Sequence, residues 1–563
     1  MMKYPGLLDE DVSRIGVQES QMLNLISGKL VTDLVKTSLG PKGMSKIYID
    51  ILDEDTLTKH GGAFLRKVDV DHPAAKSVIE AVNTVDTHVG DGTTSSAILI
   101  GSLLDNAKDL LNMKIPVTVI IKGYERSLDY ALDVLDDVKI SSNNLDQKIM
   151  KQLLITCLDG KALFDLCESQ EKLLNLMIES ISCIRDFKNN YINIDDIKIE
   201  EKIGNISETQ LIRGTILDKT IDSSTMPRSI DNPKILLINE SLETMKTKSE
   251  SEIEITSPEQ MSQFLIQENT DLEIVVKKIV DADVNVVISR KGVNEFVQEA
   301  LAQKGIITIR RVKYNDLWWL EKATGAKTCK DIYKISADEI GHAKKIYEKT
   351  IGGDKMIFVE GVNPKSVTLL LRANSKRYLD ELHRNALNGF KVLRNFIENP
   401  FIVFGAGSIE GIIAEKIRNH APTIGNKEQI VLERFANSVE EIPLTLARNI
   451  GMNVIDTKTQ LRAKFANSSN KIKWYGVDYN FRKISDMTLS KIIETISVKQ
   501  QVFNTAVEAT NMILNIDDVF MKNQIDNTHC HVDGHVHAHH DGGKSHNHFE
   551  QEGLEQRQMH QYY

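Results

Sequence analysis

The stretch Gly90-Asp91-Gly92-Thr93-Thr94-Ser95-Ser96 constrains this chain more than any other. Two glycines flank one carboxylate, hydroxyl residues follow, and Ala97-Ile98-Leu99-Ile100-Gly101-Ser102-Leu103-Leu104 comes next. Ile100, Leu103, Ala107 and Leu111 fall three or four apart, the apolar spacing of a helix. A turn therefore feeds a helix start, with the hydroxyl residues available as N-cap. The first N–H groups of a helix lack internal partners and carry the positive end of its dipole. A phosphate fits there, and glycines let it approach the backbone closely. Asp91 is suited to a magnesium ion that bridges phosphates. The plain alternative is a capped turn with no ligand, because short motifs also match by chance.

A second stretch adds weight. Leu39-Gly40-Pro41-Lys42-Gly43 ends an earlier helical run whose apolar positions include Leu23, Ile26, Leu30 and Leu34. Gly and Pro after such a run stop it abruptly. Backbone groups freed at that break, with a lysine beside them, make a second wall for an anion.

Together these motifs resemble a known family. Leu39-Gly-Pro-Lys-Gly-Met44, Asp71-His-Pro-Ala-Ala-Lys76 and Gly90-Asp-Gly-Thr-Thr-Ser95 are similar, in order and spacing, to the N-terminal signature of group II chaperonins. The likeness is to archaeal thermosome subunits, and it covers about residues 10 to 525. It implies a multidomain α and α/β chaperonin fold: a helical equatorial domain, a small intermediate hinge domain, and an α/β apical domain with a helical protrusion. It also implies an ATP-dependent folding chamber built as a double ring. Partners would be other chaperonin subunits, the same chain or paralogues, and non-native proteins.

The rest of the chain is consistent with that outline. At 563 residues it exceeds what one hydrophobic core serves, so about two to four domains are expected. A net charge of −10 argues against nucleic acid as the main partner. No apolar run approaches the roughly 20 residues of a membrane span, and the start lacks a signal peptide's apolar core. The five cysteines, Cys157, Cys167, Cys183, Cys329 and Cys530, are sparse and unpaired in pattern, which suits a reducing cytoplasm.

Residues 1–140 read as mainly helical, with Ile47-Tyr48-Ile49 and Thr56-Leu57-Thr58 as a short hairpin. They are assigned to the first equatorial part, and 141–212 to the first intermediate part, which turns strand-like near Tyr191–Asp195. Residues 213–365 read as the α/β apical block, with strands at Lys234–Asn239, Val284–Ile288, Ile306–Arg310 and Met356–Glu360. Within it, Ser257-Pro258-Glu259-Gln260 has the signature of a helix start. The helix that follows is either an ordinary amphipathic core helix or, as the resemblance implies, the protrusion at about residues 245–280. Residues 366–400 return to the intermediate domain and 401–525 complete the equatorial one.

The tail, 526–563, is polar, rich in histidine, and expected to be disordered. His529, Cys530, His531, His535, His537, His539 and His540 are ligand types that zinc, nickel or copper favour, at loose spacing. A metal-binding accessory role through this tail is a third, weaker reading. Such a tail departs from the family.

The resemblance also assigns a site. Leu39, Gly40 and Pro41 would line the nucleotide. Asp91 would hold magnesium, and Gly92, Thr93, Thr94 and Ser95 the phosphates. Lys161 would sense the terminal phosphate, Gly405 and Gly407 would form the turn beside the nucleoside, and Glu494 would contact the ribose. The cofactors implied are ATP and Mg2+.

Two positions depart from the family. Asp91 is one of three catalytic carboxylates in the family pattern, and the other two are replaced, by His60 in Thr58-Lys59-His60-Gly61 and by Asn385 in Arg384-Asn385-Ala386-Leu387. Hydrolysis needs a group that positions water and accepts its proton. Asparagine cannot take a proton near neutral pH. Neutral histidine can act as a base but binds magnesium less readily than a carboxylate. Two functions follow as expectations: an ATP-hydrolysing chaperone subunit, or a subunit that binds ATP and hydrolyses it poorly within a mixed ring.

Overall fold

The computed structural model describes residues 12–15, 17–51, 53, 55–143, 146–161, 170–185, 191–243, 258–362, 364–466 and 473–522. The histidine tail, the Ser257 cap, Cys167 and Cys530 lie outside the described residues. The chain divides into two compact units. The smaller is made from the two chain ends, where strand Val12–Ile15 pairs antiparallel with Val519–Lys522. The larger, residues 18–517, holds everything discussed below.

One helix organises the first core. Thr93–Asn112 buries Ile98, Leu99, Ile100, Leu103 and Leu104 completely, and only a narrow polar edge with Asp105 and Asp109 reaches solvent. Helices Pro73–Val89, Val117–Val138, Ser408–His420, Glu428–Asn449 and Ile496–Leu514 join it in one continuous apolar cluster. The helix Val17–Lys36 turns Leu25, Val31 and Val35 into that cluster, while Leu23, Ile26, Leu30 and Leu34 stay at least a third exposed. The sequence stripe that looked like its core face is its outer face in the single chain.

A second cluster gathers helices Gln147–Leu158, Gln170–Ile184 and Lys376–Glu398 over a three-stranded sheet. There Val367–Ala373 runs parallel to Ile197–Ile203 and antiparallel to Gln210–Ile212. The strand expected near Tyr191–Asp195 is instead a lone bridge residue and a 3-10 turn, Ile194–Asp196, in which Asn193 accepts from the Asp195 N–H. That local side-chain bond competes with a ladder and delays the strand to Ile197.

The α/β block is a seven-stranded sheet, with Lys234–Ile238, Val286–Ser289 and Ile307–Ile309 parallel neighbours. Alternate residues feed two cores. Ile235, Leu237, Val286 and Ile288 face one, and Leu236, Ile238 and Val287 face the other. A strand covered on both faces reads as a continuous apolar run, which is why these were visible in the sequence. Helix Pro258–Asp281 sends Leu272, Val275 and Ile279 into the second of these cores, while Ile266 is exposed. The back half of the helix expected to protrude is therefore core. No helix among the described residues is long and apolar enough to cross a membrane.

Candidate functional site

A cavity of about 450 Å³ opens between the first and second clusters. Two helix starts point at it. Pro73–Val89 ends on Gly90, Asp91 follows, and Gly92 (φ 82°) is the N-cap of Thr93–Asn112. The hydroxyls expected to cap this helix do not: Gly92 caps it in the left-handed conformation, without a side-chain bond, and Thr93, Thr94 and Ser95 are the first helical residues. Gly407 (φ 78°) does the same for Ser408–His420, again without a side-chain cap. Only glycine takes these backbone angles cheaply. Because no side chain caps either start, first-turn N–H groups are open to a ligand, except that Ser408 N–H already donates to Gly405 O at 3.1 Å.

Leu39, Gly40, Pro41, His60, Asp91, Gly92, Thr93, Thr94, Ser95, Lys161, Gly407 and Glu494 all line this cavity. Gly405 sits behind Glu494, where a Cβ would overlap Glu494 Oε1. Asn385 does not line the cavity; it lies on helix Lys376–Glu398, 4% exposed, and its Oδ1 has no hydrogen-bond partner among the described residues.

Sequence reasoning passed over several residues that matter. Lys59 Nζ donates to Pro41 O at 2.8 Å and to Gly160 O at 2.6 Å, tying two lining loops together. Buried Lys499 Nζ donates to Glu410 Oε1 and pairs with Glu494 Oε2, both at 2.7 Å. Burial would lower the Lys499 pKa, yet its two carboxylates hold it well above the usual lysine range. Burial raises Glu494, against the pull of Lys499. Lys499 follows Glu494 by five positions, across a strand-to-helix junction that no simple periodicity reports.

Lys161 is buried, with Nζ 3.9 Å from Cys157 Sγ. Burial works to lower its pKa, but Cys157, Asp91, Glu381 and Asp86 together raise it, so it stays a cation. The Cys157 thiol is pushed up to about 12 by burial, with Asp91 adding to the effect.

His60 occupies a different kind of place. It is the N-cap of helix Gly61–Leu65, and its Nδ1 accepts from the Ala63 N–H at 3.2 Å. A neutral ring that accepts at Nδ1 carries its proton on Nε2. Nε2 lies 3.4 Å from both Asp86 Oδ1 and Thr93 Oγ1. Burial drives the His60 pKa down to about 3, although Asp86 pulls the other way. Arg66 Nη2 donates to Asp86 Oδ2 at 2.7 Å, and Lys391 Nζ donates to the Asp86 backbone carbonyl. The ring is thus a neutral helix cap with neither nitrogen free to accept a proton. Asp55, the nearest acid earlier in the chain, is paired with Arg377 at 2.6 Å.

The sequence profile of the TCP-1/cpn60 chaperonin family matches residues 31–524. The chain is a member of that family. The chaperonin is 36% identical over 517 residues to thermosome subunit beta of Archaeoglobus fulgidus, which covers 91% of this chain and 94% of that one. It is 36% identical over 524 residues to a thermosome subunit of Pyrococcus horikoshii, covering 92% and 94%. It is 37% identical over 525 residues to thermosome subunit alpha of Sulfurisphaera tokodaii, covering 91% and 93%. Its helical bundle and mixed sheets are those of a multidomain α and α/β chaperonin.

The donor set suits magnesium bound together with a phosphate ligand. Among the described residues no group of three or more His, Cys, Asp or Glu is arranged to hold a metal alone. Magnesium commonly uses one or two protein carboxylates plus substrate phosphates, and Asp91 supplies one beside the open helix start.

Proposed function

We propose that this chaperonin chain is an ATP-binding subunit of a double-ring assembly that captures non-native proteins, and that it hydrolyses ATP slowly. The observation that carries the reading is the pair of glycine-capped helix starts, Gly92 and Gly407, opening on one cavity beside Asp91. Phosphates would take the N–H groups of Thr93, Thr94 and Ser95. Lys161 would face the terminal phosphate, its charge kept by the surrounding acids. Glu494, fixed by Lys499, would hold the ribose. Magnesium, when bound at Asp91, would offset charge on the phosphates.

Slow hydrolysis follows from the two replaced carboxylates. Neither His60 nor Asn385 can take a proton from water near neutral pH, and loss of a positioned base typically costs about 10²–10⁴-fold in rate. This favours the reading in which neighbouring subunits supply faster turnover. Three described cysteines, Cys157, Cys183 and Cys329, are free thiols, which supports a reducing cytoplasm as the site of action. Calorimetric titration of the assembled chain with ATP and magnesium tests the core of the proposal. Saturable binding at one site per chain is expected, and no binding would overturn it.

A further inference from the structure

The two glycine-capped helix starts differ in a respect that the proposed function does not use. Thr93–Asn112 has no acidic residue in its first turn, whereas Ser408–His420 carries Glu410 there. Each start attracts an anion through its dipole, but at the second the anion is already part of the protein. Glu410 lines the cavity and is 1% exposed. Lys499 Nζ donates to Glu410 Oε1 and pairs with Glu494 Oε2, both at 2.7 Å. One ammonium therefore holds two carboxylates side by side, and all three residues line the same cavity. Two acids against one cation leave this end of the cavity acidic. It disfavours a phosphate and suits a neutral group that donates hydrogen bonds.

The oxygens that Lys499 does not use define that group. Glu410 Oε2 is buried with no hydrogen-bond partner among the described residues. Buried acceptors are almost always satisfied, by protein, ligand or ordered water. Glu494 gives Oε2 to Lys499, while its Oε1 sits against Gly405, where a Cβ would come within 2.2 Å of it. A carboxylate only accepts, so the pair calls for two donors close together on one ligand. Two adjacent hydroxyls meet that demand. One hydroxyl leaves a buried oxygen unpaired, which costs the desolvation of that group.

We infer that the Gly407 end of the cavity is a diol site, in which Glu410 Oε2 accepts from one sugar hydroxyl and Glu494 from its neighbour, so that the chain selects a ribonucleotide over its 2′-deoxy and 3′-deoxy forms. The inference rests on the ATP-binding reading above and assigns Glu410 as a second specificity residue there.

The test is calorimetric titration of the assembled full chain with ATP, 2′-deoxy-ATP and 3′-deoxy-ATP, each with magnesium, for wild type and E410Q. Wild type should bind ATP about ten- to a hundredfold more tightly than either deoxy form, the usual worth of a hydrogen bond to a charged group. E410Q keeps an acceptor for Lys499 and turns the other oxygen into a donor. It should lose ATP affinity by a similar factor, yet bind the deoxy form that lacks the Glu410-bound hydroxyl within about twofold of wild type, because that ligand never made the contact. A merely structural Glu410 predicts equal weakening of all three ligands, and that result overturns the inference. Equal wild-type affinity for all three also overturns it, since Glu410 Oε2 then holds water only, and leaves ATP binding intact. Failure of wild type to bind any of the three overturns the ATP-binding reading and this inference with it. If E410Q does not assemble, E410D carries the test. It withdraws the oxygen by one methylene and should show the same ligand-selective loss, and a uniform loss there refutes the role.

Discussion

The wall of the cavity around Gly92 and Gly407 is made of backbone, whereas the wall that carries His60 is made of side chains. The first depends on left-handed glycines and the helix starts they release. Few substitutions leave it working, because a Cβ at Gly92 would lie 2.7 Å from Val502 Cγ2 and one at Gly407 would overlap Pro443. The second wall depends on which functional group each side chain ends in. His60 sits there without disturbing the fold, since it caps a short helix, and Asn385 is a buried helical residue outside the cavity lining. On the proposed reading, ATP binding and turnover are therefore separable in this architecture.

The largest expected effect lies on the backbone wall. Asp91→Ala should weaken magnesium-dependent ATP binding by about a hundredfold or more, the cost of removing a charged ligand from the proposed ion site (about 3 kcal/mol). Equal affinity in wild type and mutant, read by titration, would take Asp91 out of the site.

The side-chain wall predicts a pH effect. His60 is neutral in the folded chain down to about pH 3 but takes a proton near 6.5 when unfolded. Its folded pKa is depressed, so its contribution is intact above 6.5 and stability falls as pH drops below that value. The loss is about 1.4 kcal/mol per pH unit. His60→Asn keeps an acceptor for the Ala63 N–H and removes the titration. Urea-unfolding midpoints from pH 7 to 4.5 should fall more steeply for wild type than for the variant. Parallel curves would show that the ring is not buried neutral.

A further prediction concerns the α/β block, where no effect on ATP affinity is expected. Trimming about residues 245–268 should leave the α/β core folded, because Leu272, Val275 and Ile279 remain in place. Extending the cut through residue 280 should destabilise it by several kcal/mol, given about 2–5 kcal/mol per large buried side chain lost. Equal thermal midpoints for the two deletions would mean that the helix contributes nothing to the core.

Much of the backbone wall was legible in the sequence, because glycine and proline punctuate turns by a direct steric rule. The hairpin Lys46–Ile49 with Asp55–Thr58 and the doubly buried strands were legible for similar local reasons. The outward face of helix Val17–Lys36 was not. Leu23, Ile26, Leu30 and Leu34 have the spacing of a core stripe, and only tertiary packing shows that Leu25, Val31 and Val35 are the buried side. His60 could be located but not characterised. Its basicity is cancelled by a cap bond and by burial, and neither is written in Thr-Lys-His-Gly. The Lys499 bridge to Glu410 and Glu494 joins two segments distant in sequence, so no window of residues contains it.

The separation of binding from turnover is tested most directly by restoring both missing acids. Phosphate release in a single turnover should be compared for wild type, His60→Asp, Asn385→Asp and the double variant, each saturated with ATP and magnesium. On the proposed reading the two positions share one water, so their effects should not simply add. The account predicts equal ATP affinity throughout and a double variant that exceeds either single one, by about 10²-fold or more over wild type. A wild-type rate already equal to that of the double variant would contradict it.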